Sequence, residues 1–365
     1  MRQTLLFAAV TAVVSVCAEP SEYRLLSDGQ TAFFSLTRSE RETLFRNEEY
    51  RKKLLALGDK PQAVFLPCPS GGKAVIREIG ESSAPLRRTQ VKKMEVEAPG
   101  YLLISPAADC IRVENLKIGT KYRWHTGDGL WREFVTAATP PRMMRVGRIG
   151  NFRDLGGRVG YGGRRVRQGL IYRSAELNGY AGGRRSGKVF LDDATRRYLT
   201  EWLGVRTDID LRAGRDVRGM TGSPAGPEVA WQHVSFAFYA ELHTQSGRNA
   251  AKRVLSLLMD EKNLPALIHC IAGQDRTGTV ALLINGLLGV DEEELYRDWE
   301  ASCFATADLH FNHRDRFYKL TASFDNYPGA TLNERIEAFV YSLGVTREEV
   351  AKWRQKMLAP QKQQL

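Results

Sequence analysis

Cys270 and Arg276 are separated by five residues, Ile271, Ala272, Gly273, Gln274 and Asp275. Residues 264–268 before them are apolar, and residues 279–288 after them are apolar almost without interruption. That pattern predicts a buried strand, a tight loop and a buried helix. The loop then sits at a helix N-terminus, where the first N–H groups have no intrahelical acceptor and the helix dipole adds about half a positive charge. Such a place binds phosphate. Gly273 and Gly278 let the backbone curl so that successive N–H groups point at one anion. With His269, Ile271, Ala272 and Gln274 they make up the expected phosphate cradle. The thiolate is the form of cysteine that attacks, and a helix N-terminus favours it, so Cys270 reads as a nucleophile. Arg276 offers a planar fork of donors to two phosphoryl oxygens. Thr277 is placed to hydrogen-bond the sulfur when it leaves, and Asp275 is an acid already in the loop. Phosphoryl transfer needs mainly positioning and charge neutralisation, and the expected chemistry calls for no metal and no other cofactor.

The run His269-Cys270, five residues, then Arg276-Thr277-Gly278 resembles the signature of cysteine-dependent protein tyrosine phosphatases. Its fuller form, with Ala272, Gly273 and Asp275 in place and Gly150-Asn151-Phe152-Arg153-Asp154-Leu155-Gly156-Gly157 upstream, is similar to the atypical bacterial tyrosine and lipid phosphatase family. The resemblance spans roughly residues 142–358. It implies an α/β domain with a central, mainly parallel sheet flanked by helices, and a phosphocysteine intermediate. It also brings residues 150–157 near the phosphate loop, so Arg153 and Asp154 are candidates for substrate contact or for a brace beneath the site. One position departs: the family often carries Lys, associated with phosphoinositide or dual activity, where this chain has Gln274. Tyrosine phosphate is therefore the first expectation for the substrate, and phosphoinositides or inositol phosphates are the second. The related family uses an aspartate at the position of Asp275 as general acid. The rival is Asp210, at the carboxyl end of a strand predicted over residues 205–211, where an open α/β sheet gathers functional groups. An ion pair of Asp210 with Arg212 or Arg215 fits that position equally well.

The rest of the chain has to hold this loop in place. Residues 1–18 read as a signal peptide, with Arg2, an apolar stretch over 5–16 too short to span a membrane, and small residues before Glu19. The mature protein is expected to be exported, periplasmic or secreted; lipid attachment at Cys17 is disfavoured by bulky Val16. Residues 19–141 read as an accessory domain. A charged helix follows a capping box at Ser39-Glu40-Arg41-Glu42, then come short strands around 63–66, 74–79, 91–96, 101–104, 110–113, 122–124 and 133–136, an all-β sandwich. Residues 116–124 resemble the fibronectin type III pattern. Pro140 and Pro141 form a stiff linker, and residues 142–365 form the catalytic domain. The sandwich is expected to fold separately and to take no part in the chemistry.

The net charge is +11, and residues 142–188 carry twelve Lys or Arg against Asp154 and Glu176. This favours a phosphorylated protein or other anionic phospho-substrate, or an anionic membrane surface. No aromatic–basic repeat points to specific nucleic acid binding. Once the leader is removed, Cys68, Cys110, Cys270 and Cys303 remain, and Cys68–Cys110 is either a bridge or two separate buried thiols. Residues 182–188 nearly spell a nucleotide phosphate loop but lack the preceding strand and the magnesium-binding hydroxyl, since Val189 stands there. His310 and His313 are too few ligands for a metal site. Two other readings use a similar loop: a rhodanese-like sulfurtransferase, which the five-residue spacing and Thr277-Gly278 disfavour, and a catalytically dead phosphate-binding adaptor.

Overall fold

The structure, a computed structural model, describes residues 22–360 except 59, 69–71, 81–84, 92–93, 108, 179, 182–183, 186–190, 237–238 and 306–313. The expected leader with Cys17, both His310 and His313, and most of the 182–188 stretch lie outside the described residues.

The N-terminal part opens with β1 (Glu22–Tyr23) and three short helices, α1 (Asp28–Ser35), α2 (Arg38–Arg46) and α3 (Glu48–Ala56). The capping box lies two residues earlier than expected. Thr37 accepts from the Glu40 N–H, and the Glu40 carboxylate accepts from the Thr37 N–H. Asn47 then separates α2 from α3. Phe33, Phe34, Leu44, Phe45 and Leu54 of these helices share an apolar cluster with Ala301, Cys303 and Phe304, more than two hundred residues downstream.

The sandwich follows as β2 (Val64–Pro67), β3 (Gly72–Ile79), β4 (Leu86–Val91), β5 (Met94–Pro99), β6 (Leu103–Pro106), β7 (Cys110–Glu114), β8 (Lys121–His125) and β9 (Arg132–Thr136). Its two sheets run β1-β9-β8-β3-β5-β4 and β2-β7-β6. The single strand expected over 91–96 is a hairpin in which Val91 pairs with Met94. Both side chains are buried, and two buried residues three apart do not share a face of one strand, whose side chains alternate with period two. The buried Tyr122 accepts the Lys117 N–H at 2.9 Å through its hydroxyl, tying the turn before β8 to the sheet. Cys68 and Cys110 are separate thiols.

The second half contains β10 (Arg142–Met143), β11 (Arg153–Asp154), β12 (Ile171–Ser174), β13 (Tyr180–Ala181), β14 (Arg184–Arg185), α4 (Asp193–Arg197), β15 (Thr207–Asp210), β16 (Ala230–His233), α5 (Gln245–Met259), β17 (Ala266–His269), α6 (Asp275–Leu287), α7 (Glu292–Glu300), α8 (Arg314–Ser323), α9 (Leu332–Ser342) and α10 (Arg347–Met357). Its main sheet runs β10-β11-β12-β17-β15-β16. β12, β17, β15 and β16 are parallel, while β10 and β11 add an antiparallel edge. This is the expected mainly parallel α/β arrangement. Because side chains alternate across a sheet, Ile171, Ile209, Ala266 and Ile268 face one core with α5, α6, α9 and α10. Tyr172 and Leu267 face the other way.

That second face is not closed by helices alone. Tyr172, Leu267, Leu199 and Leu203 belong to one continuous core with Leu102, Leu116, Tyr122 and Trp124 of the sandwich. Arg142, fully buried just past Pro141, donates to the carbonyls of Asn115 and Leu116 and to Asp154. Asn115 donates to the Tyr198 hydroxyl, which itself donates to the Tyr101 carbonyl. Pro140 and Pro141 thus mark a change of sheet within one core.

The basic segment also differs from expectation. Arg142, Arg153, Arg158 and Arg173 are buried, and Arg164 and Arg165 donate to backbone carbonyls. Part of the counted charge is therefore internal and holds the chain together, while Arg148 and Arg167 are exposed. Among the described residues no helix is long and apolar enough to cross a membrane.

Candidate active site

Cys270 directly follows the central strand β17 and is 2% exposed. The loop after it is tied from outside by its carbonyls. The Glu176 N–H donates to Ile271 O at 3.0 Å, Asn151 Nδ2 to Ala272 O at 3.0 Å, and an Arg173 guanidinium N–H to Gly273 O. In a trans peptide the N–H of the next residue points opposite to the carbonyl. The N–H groups of Ala272, Gly273 and Gln274 are therefore turned to the inner side, and they have no acceptor among the described residues. Gly273 is required here: its φ is +68°, and a Cβ would lie 2.3 Å from Ser174 O. Gly278 has a different job from the curl expected of it. It lies inside α6, where a Cβ would stand 2.6 Å from Trp299 Cδ1, so it lets α7 approach. Ile271 and Ala272 are half-buried at the loop, and Gln274 is the buried residue that caps α6.

Arg276 stands in the first turn of α6, 5% exposed. Its Nη1 donates to Leu211 O at 3.2 Å and lies 3.8 Å from Asp216 Oδ2. Asp216 fixes the direction of the fork, and the sequence reading passed over it. Thr277 Oγ1 is buried with no hydrogen-bond partner among the described residues.

Beneath the loop lies a group of buried cations around one carboxylate. Arg153 Nε and Arg158 Nη2 reach Asp298 Oδ1 at 3.3 and 3.0 Å, Arg173 Nη1 donates to Asp298 Oδ2, and Arg153 also donates to Asn151 Oδ1 and Ser302 Oγ. Burial raises the Asp298 pKa, but Arg173, Arg153 and Arg158 outweigh it and hold the carboxyl well below the usual range. Burial, with Arg173 alongside, pulls Arg153 down. Glu294 Oε2 also lies 3.6 Å from Arg158 Nε, so three guanidinium groups face two carboxylates and leave a smaller local excess of positive charge under the place where a phosphate dianion would sit. Of the two expected roles for Arg153 and Asp154, both fully buried, the brace is the one Arg153 fits and substrate contact suits neither. Arg153 braces Asn151 and Asp298. Asp154 is fully buried and takes the Arg142 guanidinium and the N–H groups of Gly156 and Gly169.

His269 is likewise fully buried, and so is a support for the cradle rather than part of its lining. Its Nε2 lies 2.8 Å from Asp208 Oδ1, a fully buried ion pair. Burial lowers its pKa, yet Asp208 and then Asp210 outweigh that and push it up to about 9.

The two candidate acids are in unlike surroundings. Asp210 accepts from Arg212 Nε at 2.9 Å, Nη2 at 2.6 Å and the Arg212 N–H at 3.0 Å. Burial raises its pKa, but His269 and Arg212 together hold it far below the usual carboxylate range. A carboxylate so paired has no proton to give near neutrality, which is the ion-pair alternative for this residue. Asp275 stands at the start of α6, 8% exposed, and accepts a hydrogen bond from the Tyr239 hydroxyl. Tyr239 keeps its proton, because burial and the neighbouring Asp275 push its pKa up. No pattern in the sequence marks Tyr239, Asp216 or Asp298 as partners of the loop, whereas Arg173, charged at the end of an apolar strand, carried a signal.

A family model described as the tyrosine phosphatase family matches residues 144–359. A protein of Cupriavidus necator named "putative tyrosine-protein phosphatase" is 29% identical over 193 residues, covering 48% of this chain and 64% of its own length. Among solved structures, Pseudomonas aeruginosa TpbA has a TM-score of 0.30 at 16% identity, covering 48% of this chain and 88% of its own. The core catalytic domain of the PP-IP phosphatase SIW14 from Saccharomyces cerevisiae, solved with citrate, has a TM-score of 0.27 at 16% identity, covering 43% of this chain and 93% of its own. With the loop of Cys270 and Arg276 inside the matched residues and more than half of the chain covered by the match, the chain belongs to the tyrosine phosphatase family.

Proposed function

We propose that the protein is a metal-independent phosphomonoesterase that hydrolyses phosphotyrosine through a phosphocysteine intermediate. The observation that carries this reading is the loop with its carbonyls tied outward, its N–H groups turned inward, and Cys270 and Arg276 at its two ends. The Cys270 thiolate attacks phosphorus and the ester P–O bond breaks, while Arg276 and the loop amides hold the equatorial oxygens. Asp275 gives its proton to the leaving oxygen. Water then attacks phosphorus, Asp275 takes a proton from it, and the P–S bond breaks to return the thiolate. Thr277, with its hydroxyl unengaged, is available to hydrogen-bond that sulfur.

Phosphoinositides or inositol phosphates are the second reading. One observation favours them: Arg215 and Arg218 are exposed on either side of Asp216, the residue that faces Arg276, where a second anionic group would meet them. The leader at residues 1–18 supports export, and the tyrosine tie at Tyr122 supports a fibronectin type III-like sandwich.

The test is phosphate release from an aryl phosphate, phosphotyrosyl peptides, phosphoinositides and inositol hexakisphosphate, with a chelator present. The wild type should turn over the aryl phosphate and the peptides, and Cys270→Ser should fold and release nothing. Substantial turnover by the serine variant, or loss of wild-type activity to the chelator, would remove the mechanism. Phosphate binding without turnover would make the protein an adaptor.

A further inference from the structure

Three consecutive residues of α7 face three different partners, as residues about 100° apart on a helix must. Asp298 gathers Arg153, Arg158 and Arg173 under the phosphate loop. Trp299 is packed where Gly278 leaves room on α6, and stacks on Phe317 with ring centroids 4.9 Å apart. Glu300 points away from the catalytic sheet to α2. There Arg41, fully buried, donates from Nε to Glu300 Oε2 at 2.5 Å and from Nη1 to Leu36 O at 2.6 Å, and its Nη2 lies 2.6 Å from Glu293 Oε1. Glu293 and Glu300 are seven apart on α7 and so share the face that Arg41 grips. Arg314 of α8 reaches the second oxygen of Glu300 at 3.1 Å.

From this arrangement we infer that Arg41, which precedes the sandwich and lies outside the residues matched by the family, is a positioning residue for the phosphate loop. It holds α7 in register, α7 holds Asp298, and Asp298 holds Arg173 and Arg153. Arg173 in turn grips Gly273 O, and Arg153 grips Asn151, whose amide holds Ala272 O. Apart from the half-buried Glu293, the side chains in this chain of contacts are buried, and it ends on peptide carbonyls of the loop itself. The apolar cluster of Phe33 and Phe34 of α1 and Phe45 of α2 with Ala301 and Phe304, just after α7, presses the neighbouring segments together. A shift of α7 would be felt at two of the three carbonyls that turn the loop amides inward. Arg38 of α2 also meets α7, at Glu292 and over the Tyr296 ring, but on its more exposed side; the fork of Arg41 on two acids is a task that only arginine performs.

The inference rests on the proposed phosphatase reading, and its test separates the two. Full-length wild type, Arg41→Met and Arg41→Lys are compared in turnover of an aryl phosphate and in the rate at which iodoacetamide alkylates Cys270, with and without inorganic phosphate. A wild type whose Cys270 is not protected by phosphate would discard the functional reading itself. With protection seen, Arg41→Met should stay folded, lose about 10- to 100-fold in kcat, and lose most of the protection, with Arg41→Lys between. Tyr122→Phe, a sandwich variant that loses a buried hydrogen bond, supplies a destabilised control that should keep both readouts. Wild-type turnover and protection in folded Arg41→Met would overturn the inference, as would equal losses in Tyr122→Phe. If Arg41→Met does not fold, Glu300→Gln, which keeps volume and an acceptor but not the charge, decides by the same two readouts.

Discussion

The contrast between Asp210 and Asp275 gives the most discriminating experiment, because the two substitutions should affect different observables. In Asp210→Asn the carboxylate that receives three Arg212 donors and, at 3.3 Å, the Trp231 indole N–H becomes a neutral amide with one acceptor. Breaking one side of a buried ion pair costs about 3–5 kcal/mol. Part of this is spared, because Arg212 still has Glu176 at 2.9 Å and Asn178. At a few degrees per kcal/mol, the melting temperature should fall by roughly 10 °C, with only a modest and leaving-group-independent change in rate. In Asp275→Asn the hydrogen bond from the Tyr239 hydroxyl can still be accepted by an amide oxygen, so stability should change by no more than about 1 kcal/mol. The rate should suffer instead. Loss of a general acid costs about 10²–10⁴-fold, or ~3–5 kcal/mol of barrier at 1.36 kcal/mol per decade. The loss should be largest for leaving groups of high pKa and should shrink as the phenol becomes more acidic. The assay is a set of aryl phosphates of rising leaving-group pKa, with thermal melts on the same preparations. If Asp210→Asn shows the steepening rate loss and Asp275→Asn does not, the roles reverse and Asp275 is a brace held by Tyr239.

Three further outcomes follow from the same geometry. Arg276→Lys should fold and lose most of its activity, because an ammonium cannot hold Leu211 O, face Asp216 and still present two parallel donors to phosphate; near-normal kcat/KM would contradict the clamp. A chain beginning at Arg142 should fail to give a folded, active domain, since it would expose Tyr172, Leu267 and Leu199 and strip Arg142 of the Asn115 and Leu116 carbonyls; full activity on a small aryl phosphate would show that the shared core is dispensable. His269, raised from 6.5 to about 9 in the folded chain, contributes stability that is fully present below pH ~6.5 and is lost as pH rises through ~9. The shift corresponds to ~3 kcal/mol at most. The urea midpoint of the wild type should therefore fall between pH 6.5 and 9.5, and that fall should be smaller in His269→Gln.

Local chemistry explains what could be read early. An apolar strand, two glycines and an apolar helix around Cys270 specify a strand–loop–helix unit whatever the remainder of the chain does, because period, turn freedom and helix start act within about ten residues. The same is true of the capping box at Thr346 and Glu349 and of α9 over Leu332–Ser342. Asp210 shows the limit. Its place at a strand end was visible, yet whether it serves as an acid or an ion-pair partner depends on how Arg212, His269 and Trp231 converge on it. Arg153 and Asp154 are adjacent in sequence but face opposite sides of β11, so one braces the loop through Asp298 and the other ties Arg142 to Gly156 and Gly169.

The sequence by itself determined the strand–loop–helix unit around Cys270 and the order of a strand-rich half followed by an α/β half, because each of these follows from residue type and short-range spacing. Only the tertiary structure decided that the two halves share a core, that Arg142, Arg153, Arg158 and Arg173 are internal, and that Arg41 and Asp298, 257 positions apart, act on the same helix α7. The physical reason is that burial and ion pairing are properties of convergence. A guanidinium counts as surface charge or as a buried brace according to which carboxylates and carbonyls the fold brings to it, and those partners lie scores to hundreds of residues away.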